Sequence, residues 1–114
     1  MWVLSLNRTK VTDVGLEHIK GLAQLLELQL NDTKVTDAGL KQLKGLGKLA
    51  DLCLDHTQIT DAGLDHLKRL KHLESLSLIG TKVTDEGMKN FLRALPYCHI
   101  FLKKRPLPKS IICH

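Results

Sequence analysis

Aromatic side chains make up only 4% of the 114 residues, too few for an aromatic-rich core or a base-stacking platform. No apolar run approaches the ~18 residues that a membrane-spanning helix needs. The first residues, Met1-Trp2-Val3-Leu4-Ser5-Leu6, carry neither a basic stretch nor a small-residue cleavage site, so they do not read as a signal peptide. Three cysteines are an odd number without a secretion signal, which points to reduced thiols and a cytoplasmic setting. Phosphate loops, dinucleotide fingerprints, zinc-protease helices and nucleophile elbows are all missing, so no catalytic residue and no cofactor is assigned. What is present is ordinary: 43% hydrophobic and 25% charged residues exclude a disordered chain. The length suits one domain. A net charge of +5 makes the chain mildly basic, so the distribution of charge matters more than its sum.

The informative feature is an internal repeat, whose detection decides the fold. Thr9, Thr33, Thr57 and Thr81 recur at a constant step, as do Asp13, Asp37, Asp61 and Asp85, and Gly15, Gly39, Gly63 and Gly87. The unit reads L-x-x-L-x-L-x-x-T-K-V-T-D-x-G-L-x-x-L-K-x-L-x-x. Leu28 with Leu30, Leu52 with Leu54 and Leu76 with Leu78 alternate as the inward face of short strands. Leu40, Leu43 and Leu46, like Leu64, Leu67 and Leu70, have helical spacing. Between the two halves, Thr12, Thr36, Thr60 and Thr84 are placed as helix N-caps, and the Asp after each faces the positive end of the helix dipole. Val11 with Leu16, Val35 with Leu40, Ile59 with Leu64 and Val83 with Met88 have the spacing of a hydrophobic staple. Each Gly is expected to let neighbouring backbones pack closely.

A strand and a helix in so short a unit cannot bury their own apolar side, whereas stacked copies can. The unit resembles a leucine-rich repeat of the Thr-Asp-x-Gly-Leu type found in bacterial repeat proteins and, more distantly, ribonuclease-inhibitor-like and F-box-associated repeats. That resemblance implies an α/β leucine-rich-repeat solenoid, a short right-handed arc with parallel strands on the concave face and helices on the convex face. It also implies protein binding. Thr9, Thr33, Thr57 and Thr81 stand where the family often has Asn or Cys, and their hydroxyls are expected to bond the loop backbone instead.

Residues 1–102 are assigned to the repeat domain, with Ile100 and Leu102 marking a fifth, closing strand, and 103–114 to a basic, proline-punctuated tail. Ile111 and Ile112 are candidates for a partial lid. The first strand has no preceding polar cap, so Trp2, Leu4 and Leu6 are expected at an open edge, either self-associating or covered by further repeats of a longer array.

Metal binding finds little support. Helix capping accounts for the Asp column, and calcium-binding repeats would need several oxygen ligands per turn in Gly-rich loops. Cys53, Asp55 and His56 are the nearest approach to a ligand cluster, but His56 is expected on the other side and no fourth ligand completes the set. Cys98 reads as a small buried hydrophobe.

The strand face is where sequence varies between copies. Glu27, Gln29, Asn31 and Asp32, then Asp51, Cys53, Asp55 and His56, then Glu74 and Ser77, are the candidate partner-binding residues. Five of them are carboxylates, and the middle three strands carry no Lys or Arg. Lys20, Lys41, Lys44, Lys48, Lys68, Arg69, Lys71, Lys89 and Arg93 lie on the helix side instead. An acidic concavity repels phosphates, which argues against nucleic acid there, and suits a basic or polar protein or peptide. The convex lysines and the tail supply an alternative reading, binding to an anionic surface or nucleic acid. Glu17, Lys41, Asp65 and Lys89 alternate in sign along one helix column, and lateral ion pairs are expected among them.

Overall fold

The computed structural model describes residues 2–102. Five strands alternate with helical segments: β1 (Val3–Ser5), α1 (Asp13–Leu16), β2 (Glu27–Gln29), a 3₁₀ helix (Asp37–Gly45), β3 (Asp51–Cys53), α2 (Asp61–Leu67), β4 (Ser75–Ser77), α3 (Asp85–Ala94) and β5 (His99–Phe101). The strands form one parallel sheet in the order β1-β2-β3-β4-β5. Its register aligns Leu4 with Leu28, Leu28 with Leu52, Leu52 with Leu76 and Leu76 with Ile100. Each strand is thus the previous one displaced by a whole copy, and the expected fifth strand closes the sheet.

This register stacks like residues into columns. Leu28, Leu52 and Leu76 are buried, as are Leu30, Leu54 and Leu78, and the helix-side columns Leu16/Leu40/Leu64 and Leu43/Leu67/Phe91 meet them. The helical layer packs in sequence, α1 against the 3₁₀ helix, that helix against α2, and α2 against α3. At the first copy, which has a neighbour on one side only, Leu22 is partly uncovered while its equivalents Leu46 and Leu70 are buried. Trp2 is 61% exposed and Leu4 and Leu6 are half-buried, as expected for an outer strand.

Two expectations about the helices need correction. A three-residue leucine spacing suits either helix type, and in the second copy the backbone takes the tighter 3₁₀ form, whose period is three. The threonine caps are also uneven. Thr60 accepts a bond from Ala62 N–H and Thr84 from Gly87 N–H, whereas the Thr12 and Thr36 side chains make no such bond.

The Asp column links copies rather than only facing dipoles. Asp13 accepts from Thr36 N–H at 2.7 Å and from the Thr36 hydroxyl at 2.5 Å. Asp37 takes the same two bonds from Thr60, and Asp61 takes them from Thr84. The glycines follow from this clamp. A Cβ at Gly39, Gly63 or Gly87 would stand 2.3, 2.4 or 2.1 Å from the carboxylate oxygen of Asp13, Asp37 or Asp61, so only glycine lets the carboxylate reach the next helix start. Thr-Asp-x-Gly is therefore one inter-copy joint. The other threonine column behaves as expected: Thr9, Thr33, Thr57 and Thr81 each donate to a carbonyl three residues earlier, at 2.7 Å.

Candidate functional site: the strand face

A second ladder runs along the strand exits. Asn7 Oδ1 accepts from Asn31 N–H at 2.8 Å, Asn31 Oδ1 from Asp55 N–H at 2.7 Å, and Asp55 Oδ1 from Ile79 N–H at 2.9 Å. Each side-chain oxygen thus satisfies a strand-exit amide that faces the preceding copy. The next residue in each copy, Arg8, Asp32, His56 or Gly80, turns the chain through the left-handed region at φ 57–75°. Gly80 is needed there twice over, because a Cβ would also stand 2.3 Å from the His56 ring.

These roles change the status of several candidate residues. Asn31 is buried, at 6% exposure, and belongs to the ladder. Ser77, expected to be exposed, is 3% exposed and donates to Asp55 at 2.6 Å. Cys53 is fully buried, so it offers no surface ligand. Cys98 is a free buried thiol, and burial, with the Asp51 charge adding to it, pushes it up to about 11.

The remaining candidates do offer surface. Glu74, Asp32 and His56 are exposed, and Glu27, Gln29, Asp51 and Asp55 half-buried. Glu27 and Asp51 are cross-strand partners in the parallel register. Gln29 donates to Glu27 at 2.5 Å and accepts from Asn7 at 2.7 Å, so the amide row ties this acid to its neighbours. Burial raises the Asp51 pKa, and the charges of Glu27 and Glu74 raise it further. Burial also raises that of Asp55, against the opposing pull of Ser77 and Ile79. The three acids Glu27, Asp51 and Glu74 therefore share one field, a negative patch at the strand entrances. The step from Asn7 to Asn31 to Asp55 was visible in the sequence, but their amide and carboxylate oxygens read as solvent-facing groups, not as a ladder.

On the helix side the expected lateral ion pairs are replaced. Asp65 pairs with Lys68 of its own helix at 3.0 Å, the ion pair found among the described residues. Lys48 instead reaches Gln24 of the previous copy, at 2.8 Å. Among the described residues no group of three or more His, Cys, Asp or Glu is placed to hold a metal ion, and no helix is long and apolar enough to cross a membrane. The tail, with Cys113, Ile111 and Ile112, lies outside the described residues.

Sheet, helical layer and side-chain ladders define a short α/β solenoid. A family model described as a leucine-rich repeat matches residues 24–44 and 69–92. Among solved structures, a leucine-rich-repeat protein of Leptospira interrogans is 26% identical with a TM-score of 0.72, the match covering 88% of this chain and 25% of that one. Internalin C2 of Listeria monocytogenes is 25% identical with a TM-score of 0.67, covering 91% of this chain and 41% of that one. A further Listeria monocytogenes internalin, at 21% identity and a TM-score of 0.54, speaks for the fold alone. The chain thus spans well under half the length of these proteins. No curated protein sequence matches it. Four in-register copies and these matches give the chain a leucine-rich-repeat fold.

Proposed function

We propose that the protein is a binding module rather than an enzyme, and that it takes a basic or polar segment of a partner protein on the strand face. Leucine-rich-repeat solenoids present extended concave surfaces suited to protein contacts. The observation that carries this reading is the acid patch of Glu27, Asp51 and Glu74, on strands that carry no Lys or Arg. Such a surface steers cationic partners and repels anionic ones. Two surface pockets lie on the helix side, away from this patch.

The test is affinity capture of partners with the intact chain and with a Glu27→Lys, Asp51→Lys, Glu74→Lys triple variant. These three acids avoid the ladder residues, so the fold is expected to survive, as circular dichroism would check. Loss of capture in the triple variant, with capture retained by Lys20→Glu, supports the reading. The reverse pattern sinks it.

A further inference from the structure

Between the 3₁₀ helix and α2, away from the strand face, lies a surface cavity of about 240 Å³ lined by Lys41, Lys44, His66 and Arg69. Among the described residues no carboxylate lines it. The 3₁₀ form brings the two lysines together, because at three residues per turn side chains three apart eclipse one another. An α-helix would fan them by about 60°. His66 and Arg69 enter from α2 and the turn that follows it. The acid adjoining His66 in sequence, Asp65, is engaged by Lys68 at 3.0 Å and does not neutralise the lining. Lys41, Lys44 and Arg69 are exposed and His66 half-buried, so an incoming ligand can reach all four.

We propose that this cavity is an oxyanion site that takes a small diphosphate-type ligand. Three full cations around one concavity repel each other, and a multiply charged anion relieves that repulsion. Arg69 offers a planar fork of N–H donors, the lysines compact charges, and the His66 ring a further N–H. A single halide or carboxylate would engage only part of this set. A ligand with two linked phosphate groups can reach donors on both helices at once.

The probe is inorganic pyrophosphate, titrated at constant ionic strength into the full chain and followed by backbone amide shifts. Saturable shifts concentrated at residues 41–45 and 65–69 are expected. Lys44→Glu with Arg69→Glu should lower the affinity at least about tenfold, while Lys20→Glu with Lys71→Glu, an equal change of net charge, should alter it by less than about twofold. If the first pair fails to fold, Lys44→Gln with Arg69→Gln decides the matter by the same comparison. Shifts spread over every lysine-bearing turn, shifts that never saturate, or an equal loss in the control pair would overturn the site. A phosphoserine peptide that binds at this cavity while pyrophosphate does not would also overturn it, since the ligand would then be a peptide.

Discussion

Asp37 in one copy accepts two hydrogen bonds from Thr60 in the next, one from the backbone N–H at 2.8 Å and one from the hydroxyl. The pair holds one helix start to another across the stack, and a glycine, Gly63, stands beside it to leave room.

Removing that carboxylate leaves a partly buried amide without its acceptor. Asp37→Ala is expected to cost about 1.5–3 kcal/mol, the range for hydrogen bonds to a charged group. Asp85 holds the equivalent position in the fourth copy, and the sequence has no threonine 23 residues onward. Asp85→Ala is therefore expected to cost under about 1 kcal/mol, mostly the helix-dipole contribution. Urea denaturation of the two variants side by side checks the difference, and equal losses would mean that the clamp contributes nothing beyond the dipole.

The glycines divide in the same way. Gly63→Ala forces a methyl group to within 2.4 Å of the Asp37 carboxylate, and is expected to cost about 1–3 kcal/mol as an overpacking change. Gly47 has open space where a Cβ would stand and no left-handed backbone. Gly47→Ala is expected to be neutral or to stabilise by up to about 1 kcal/mol. Thermal melts of both variants give the answer directly.

Asp51 makes a pH prediction. Its folded-state pKa is raised above 3.8 by burial and by the neighbouring charges of Glu27 and Glu74, so the folded protein holds this proton more tightly than the unfolded chain does. The associated stability is fully present below pH 3.8 and is lost as pH rises through the raised value. Asp51→Asn should therefore raise the melting temperature at neutral pH, and the gap should close below pH 3.8. Melting curves across that range test the sign, and a variant less stable at neutral pH would contradict it.

Ser77 is the instructive case among the strand-face residues. Its hydroxyl bonds the Asp55 carboxylate at 2.6 Å in a buried position. Ser77→Ala is expected to cost about 1–2 kcal/mol, more than Lys82→Ala at an exposed loop position, which should stay within about 0.5 kcal/mol. Chemical denaturation compares the two.

The leucine columns were legible in the sequence because strand and helix each impose a period, and Ile100 extended the strand phase into β5. The joints were less so. An Asp in the first turn of a helix already has a sufficient local explanation in the dipole, and its bond to a threonine 23 residues onward appears only when helix starts are stacked. The burial of Ser77 and Asn31 was hidden for a related reason. Small polar residues on an outward strand position read as solvent-facing, yet Asp55 of the preceding copy accepts from the Ser77 hydroxyl, and Asn31 Oδ1 accepts from Asp55 N–H of the following one. The 3₁₀ form of the second helix was not separable from an α-helix, because leucines three apart serve either.

Each kind of link keeps a constant span, 24 residues along the strand exits and 23 from Asp to Thr, and joins adjacent copies. A gain or loss of one whole copy in the interior therefore leaves each surviving oxygen opposite an amide or hydroxyl of the right kind. A gain or loss of a single residue inside a strand, by contrast, throws one copy out of step with both neighbours. Genetic change in the length of this protein is consequently quantised: it is tolerated in whole copies and penalised in between.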